Sequence, residues 1–83
     1  MYLAKVVITL RKSILDPQGK AVLHALESLR MTAAQEVRIG KFVEIKIESS
    51  DKAEAERVTE EACKKLLANP VMEDYHFSLE KIS

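Results

Sequence analysis

Apolar and polar residues alternate from the start of the chain. Tyr2, Ala4, Val6, Ile8 and Leu10 fall on one parity, with Lys5, Thr9 and Arg11 on the other. A period of two filled with β-branched residues predicts a half-buried strand. Leu3 and Val7 sit on the second parity, so that face is expected to be partly covered too. The period then changes. Asp16 is a good N-cap, and Pro17 suits the first helical position, where its missing N–H leaves no bond unmade. Val22, Ala25, Leu26 and Leu29 recur at helical spacing, giving one apolar stripe on a helix that fades near Met31. Gly19 lies in the first turn, where alanine would favour the helix by about 0.5–1 kcal/mol. Its presence there implies a close backbone approach or an irregular start.

Alternation returns between Glu36 and Glu48. Val37, Ile39, Val43, Ile45 and Ile47 share a parity that runs through Gly40 and is interrupted only by Lys41. A hairpin at Gly40 would not require that continuity, so the pattern predicts one long strand, bent or bulged at the glycine. At about 13 residues it exceeds the usual strand length, so part of it is expected to pair outside the local sheet.

Ser50 and Asp51 are placed to cap a second helix, with Glu54 completing a capping-box pattern. Ala55, Val58, Ala62 and Leu66 form its expected inward stripe, with Cys63 and Leu67 beside it. Acidic residues come earlier and lysines later, as the helix dipole favours. Asn69 suits the left-handed conformation that ends a helix, and Pro70 forbids continuation. A last strand is expected from Tyr75 to Ile82, alternating Tyr75, Phe77 and Leu79 with His76, Ser78 and Glu80.

The order is β-α-β-α-β, or β-α-β-β-α-β if the long strand divides at Gly40. Either predicts an α+β fold, a two-layer ferredoxin-like sandwich with two helices on one face of an antiparallel or mixed sheet. The 83 residues are read as a single domain, residues 1–83. A chain of this size buries only about 60–65% of the surface of its unfolded form, so association is an expected source of stability. The over-long strand points the same way, with Val43 and Ile45 as candidate oligomer-interface positions.

Charge narrows the function. The 13 basic and 13 acidic residues are interspersed, without the basic excess that phosphate contacts require, so no nucleic-acid partner is expected. No apolar run is long enough for a membrane span, and no charged leader precedes an apolar stretch. Cys63 is the single cysteine, which excludes an internal disulfide. The chain reads as cytoplasmic.

Candidate chemistry is sparse. Cys63 lacks a neighbouring base and reads as a structural thiol. His24 and His76 are far apart and lack metal-ligand spacing. Glu73 and Asp74 read as a solvated turn. Neither Gly19 nor Gly40 belongs to a phosphate-binding loop. No catalytic, cofactor-binding or metal residue is assigned. Three polar stretches stand out instead: Leu15–Val22 (LDPQGKAV), Val37–Lys41 (VRIGK) and Leu66–Tyr75 (LLANPVMEDY).

In this order and spacing, across essentially the whole chain, these stretches resemble the PurS family, the small subunits of phosphoribosylformylglycinamidine synthase. Met72 stands where a branched aliphatic is more usual, and Arg30-Met31-Thr32 replaces a Gly-aromatic turn. The resemblance implies a non-catalytic subunit of an ATP- and glutamine-dependent C–N ligase of purine biosynthesis. It implies a chain that bridges a glutaminase subunit and a synthetase subunit and helps ammonia pass to formylglycinamide ribonucleotide. ATP and Mg²⁺ would act at the synthetase partner, and this chain would be a homodimer or homotetramer. Candidate partner-interface residues are Asp16, Gln18, Gly19, Lys20, Arg38, Gly40, Lys41, Asn69, Pro70 and Glu73. Arg38, off the apolar parity, is expected to be an exposed cation open to partner carboxylates. Two other readings stand beside it. A stand-alone ligand-binding domain would need a glycine-rich loop at a helix start, and a small RNA-binding domain would need exposed aromatics on central strands, where Phe42 is the one candidate.

Overall fold

The computed structural model describes residues 1–82. Strand β1 (Tyr2–Leu10) leads to α1 (Pro17–Ser28), β2 (Gly40–Ile47), α2 (Lys52–Ala62), a π-helical turn (Cys63–Leu67) and β3 (Glu73–Lys81). The sheet has three strands in the order β2-β1-β3, with both pairings antiparallel. β1 therefore occupies the centre. Val6 faces Val43 on one side and Phe77 on the other, and Ala4 faces Ile45 and Leu79.

One face carries the core. Ala4, Val6 and Ile8 are fully buried beneath α2 and the π turn, together with Ala55, Thr59 and Cys63. Their spacing of four residues defines the helix's inward line. Thr59 is tolerated there because its hydroxyl donates to the Ala55 carbonyl at 2.8 Å. Val58 and Leu66, expected inward, are instead 37% and 81% exposed. The physical reason is the π turn, in which the Ala68 N–H bonds back to the Cys63 carbonyl at 3.0 Å. The extra residue per turn rotates Leu66 outward and brings Leu67 and Ala68 against the sheet.

The expected long bent strand is shorter than its periodicity suggested. β2 has eight residues and begins at Gly40, opposite Thr9. Ile39 does not extend it, because its N–H donates to the Asp16 carboxylate at 2.8 Å. The parity of Val37 and Ile39 thus belongs to a segment packed on the start of α1. β3 begins two residues earlier than expected, at Glu73.

Asp16 and Pro17 start α1 as their residue types require. It ends in a Schellman motif: Arg30 at φ 63° donates to Glu27, and the Met31 N–H donates to Leu26. Asn69, by contrast, is not left-handed. Its side-chain oxygen accepts from the Val71 N–H at 2.9 Å and folds a turn after the helix.

The apolar stripe of α1 is left without a bed. Gly19 is its one buried residue, while Val22 and Leu29 are 40% and 70% exposed. The outline is correspondingly long, 50 × 28 × 14 Å. The radius of gyration is 16.3 Å, against about 12 Å for a compact chain of this length. Two layers are present where α2 lies on the sheet, and α1 projects from them.

Candidate functional site

All three motif stretches meet at one end of the sheet, around the last residues of β1. The Arg38 guanidinium donates through Nη2 to the carbonyls of Leu10 at 2.7 Å and Arg11 at 2.8 Å. Arg11 in turn donates through its guanidinium to the Pro70 carbonyl at 2.7 Å, and its backbone N–H reaches the Met72 carbonyl at 2.8 Å. Arg11 Nε lies 3.3 Å from Asp74. A chain of polar contacts thus runs from VRIGK, through the end of β1, to the Asn69–Asp74 turn.

Asp16 is the second anchor. It is 6% exposed. Its Oδ1 accepts from the Gly19 N–H at 2.9 Å, and its Oδ2 accepts from the Ile39 N–H at 2.8 Å. These donors, Ile39 first and then Gly19, hold the carboxyl below its usual value, and the Arg38 charge adds to the effect. Gly19 is explained by the same joint, since a Cβ there would run into the Val37 carbonyl oxygen. At Gly40 a Cβ would lie 2.5 Å from the Ile8 carbonyl oxygen, so the strand can start at that point only with glycine.

The third segment is held by Glu73. Its carboxylate accepts from the Asn69 N–H at 2.8 Å and lies 3.7 Å from Lys41 Nζ. Of the candidate interface set, Asp16, Gly19, Arg38, Gly40, Asn69, Pro70 and Glu73 are therefore brought together as builders of this joint. Gln18, Lys20 and Lys41 stand on its exposed side. Arg38, expected to be exposed, is half-buried because its guanidinium is engaged by two carbonyls. Val43 and Ile45 lie on the α2 face, half-buried against the core. Nothing in the sequence marks Arg11 beyond its position directly after a strand.

What the joint presents outward is largely apolar. Leu15, Val71 and Met72 are 63%, 74% and 41% exposed around it, besides Leu66. A hollow of about 420 Å³ opens beside it, lined by Lys12, Leu15, Lys20 and Leu23 among others. Elsewhere Cys63 is buried, and burial, reinforced by the Glu60 charge, pushes its thiol up. The Tyr75 hydroxyl donates to Glu60 at 2.9 Å, which raises the phenol. Among the described residues no group of three His, Cys, Asp or Glu side chains is placed to hold a metal ion. The arrangement is suited to holding loops and presenting surface.

A family model described as PurS, phosphoribosylformylglycinamidine (FGAM) synthase, matches residues 3–81. The chain is 49% identical over 82 residues to the phosphoribosylformylglycinamidine synthase subunit PurS of Bacillus subtilis, covering 99% of this chain and 96% of the relative. It is also similar to the crystal structure of Methanocaldococcus jannaschii PurS, described as one of the subunits of formylglycinamide ribonucleotide amidotransferase in the purine biosynthetic pathway. That likeness has a TM-score of 0.88 at 41% identity and covers 100% of both chains. A chain in the structure of PurLQS from Thermotoga maritima matches with a TM-score of 0.85 at 25% identity, over 96% of this chain and 99% of that one.

Proposed function

This chain belongs to the PurS family, and on that premise we propose that it bridges the glutaminase and ATP-dependent synthetase subunits of phosphoribosylformylglycinamidine synthase. The chain is a subunit of that enzyme in purine biosynthesis, an amidotransferase ligase. In the proposed role it adds no catalytic residue. As one domain it docks onto both partners and helps ammonia released from glutamine reach formylglycinamide ribonucleotide. ATP and Mg²⁺ act at the synthetase partner. The chain works in the cytoplasm as a homodimer or homotetramer, and among the described residues no helix is long and apolar enough to cross a membrane.

One observation carries the bridging role. α1 buries only Gly19 within its own chain, leaving an amphipathic helix and the apolar rim of the joint available for protein surfaces. The outward residues of the candidate interface set, Gln18, Lys20 and Lys41, lie on that same end.

The test is reconstitution of the three-subunit enzyme with and without this chain, using either glutamine or ammonium as nitrogen source. Omission is expected to abolish glutamine-dependent synthesis while ammonium-dependent synthesis falls much less. Equal loss with both sources would overturn the transfer role.

A further inference from the structure

The sheet ends at β2, whose outer edge has no strand beside it. Its eight residues run against β1 in unbroken register, with neither a bulge nor a proline to discourage further pairing. α2 packs over β1 and β3, so the inward side chains Val43 and Ile45 stay half-exposed at this edge. On the opposite face Phe42, Glu44 and Lys46 are exposed. Among the described residues, Glu44 and Lys46 make no ion pair within the chain. The other edge differs in charge. β3 carries Glu73, Asp74 and Glu80 against Lys81, and an acidic edge repels its own copy.

We propose that the edge of β2 takes a second copy of this chain, antiparallel about a two-fold axis at Ile45, so that two sheets join into one. The contact deepens the oligomer reading above and rests on it. Side chains select the register. With Ile45 opposite itself, Glu44 of each copy faces Lys46 of the other, and Val43 of each meets Ile47 of the other. Centring on Glu44 would oppose two glutamates. Centring on Lys46 would oppose two lysines and set Glu44 against Glu48. Centring on Val43 would make no charge pair and would lay Lys41 on Ile45. Opposite charges directly across a ladder support it and like charges destabilise it, while a one-residue slip would bring Glu44 onto the apolar side. The selected register also extends a row already present. Glu44 lies across from Lys5 of β1, and Lys5 is 3.1 Å from Glu80 of β3. Lys46 of the second copy continues that alternation of charge along one face of the joined sheet. The contact uses neither α1 nor the apolar rim of the joint.

Charge exchange tests the register, with association of the intact chain followed by sedimentation velocity over a range of concentrations. Glu44→Lys and Lys46→Glu alone are each expected to raise the dissociation constant about tenfold, because two attractive pairs become repulsive. An equal mixture of the two variants is expected to regain the wild-type value, since an all-lysine edge then faces an all-glutamate one. Both positions are exposed, so the circular dichroism of the variants should match the wild type. Should either variant not fold, cysteines in the otherwise native chain report the register. Ile45→Cys should join two copies on mild oxidation, whereas Val43→Cys should not, and the unaltered chain with its buried Cys63 is the blank. Unchanged dissociation in both variants would overturn the contact, as would a loss that mixing does not repair, or cross-linking at position 43 in place of 45. A chain that stays monomeric at every concentration would overturn the oligomer reading itself. An oligomer indifferent to these charges would overturn only this contact.

Discussion

Arg38 and Leu10 are 28 positions apart, and the guanidinium of the first donates to the carbonyl of the second at 2.7 Å. β2 pairs with β1 only as far as Thr9, so the carbonyls of Leu10 and Arg11 have no ladder partner on that side. A side chain supplies the donor that the strand does not. Arg38→Ala is therefore expected to lower stability by about 1–2 kcal/mol through loss of charge-assisted bonds. Lys41→Glu, at an exposed lysine 3.7 Å from the half-buried Glu73 carboxylate, loses a weak ion pair and is expected to change it by about 1 kcal/mol or less. Urea unfolding of both variants measures the difference, and equal effects would contradict the assignment.

Gly19→Ala sets two effects against each other. Alanine favours a helix by about 0.5–1 kcal/mol, but its Cβ would meet the Val37 carbonyl oxygen. Overpacking costs about 1–3 kcal/mol, so the variant is expected to be less stable, with its melting temperature lowered.

Arg30 invites the opposite change. It is held at φ 63°, a conformation that costs a side-chain-bearing residue about 1–2 kcal/mol. Arg30→Gly relieves that strain at some entropic cost in the unfolded chain, and a net gain of about 0.5–1 kcal/mol is expected. Thermal melting is the check.

The buried carboxylate of Asp16 predicts an acid limb. Its value is lowered in the fold from the ordinary 3.8. The unfolded chain therefore binds the proton more tightly, and the stability the group confers is fully present above the unfolded value and fades as pH falls through the folded one. Asp16→Asn should flatten that part of the stability–pH curve. A limb of unchanged steepness in the variant would assign acid sensitivity to other carboxylates.

Self-association is expected to run through α1 as well as through the edge of β2. Light scattering should give at least a dimer at micromolar concentration. Leu29→Glu, at a position 70% exposed within the chain, should reduce the mass while leaving the monomer's circular dichroism intact. An unchanged mass would leave the edge of β2 as the self-contact.

Much of this fold was legible because local signals agreed with tertiary needs. Asp16-Pro17 announced a helix, and the alternation of Tyr2, Ala4, Val6 and Ile8 announced the strand that became the core. Periodicity failed where a distant partner claimed the backbone. Val37 and Ile39 keep strand parity, yet Asp16 takes the Ile39 N–H, and nothing local forecasts a bond across 23 positions. The π turn likewise follows from no single residue, so Leu66 read as core. At the joint, the motif residues were visible as a set, but their roles were not. Arg38 has the sequence character of a surface cation and becomes a structural fork only because β1 outruns β2.

The central place of β1 also carries a consequence for biogenesis. Of the three strands, β1 leaves the ribosome before the two that must flank it, and its partners run as far as Lys81. Until β3 has emerged, the Val6–Ile8 stretch has an open edge. The nascent chain thus travels with its most apolar strand exposed, in a topology whose pairings are all distant in sequence and slow to close. Aggregation during synthesis, rather than instability of the finished fold, is the hazard this arrangement creates, and a holdase that shields β1 should raise the soluble yield more than any ligand of the native state.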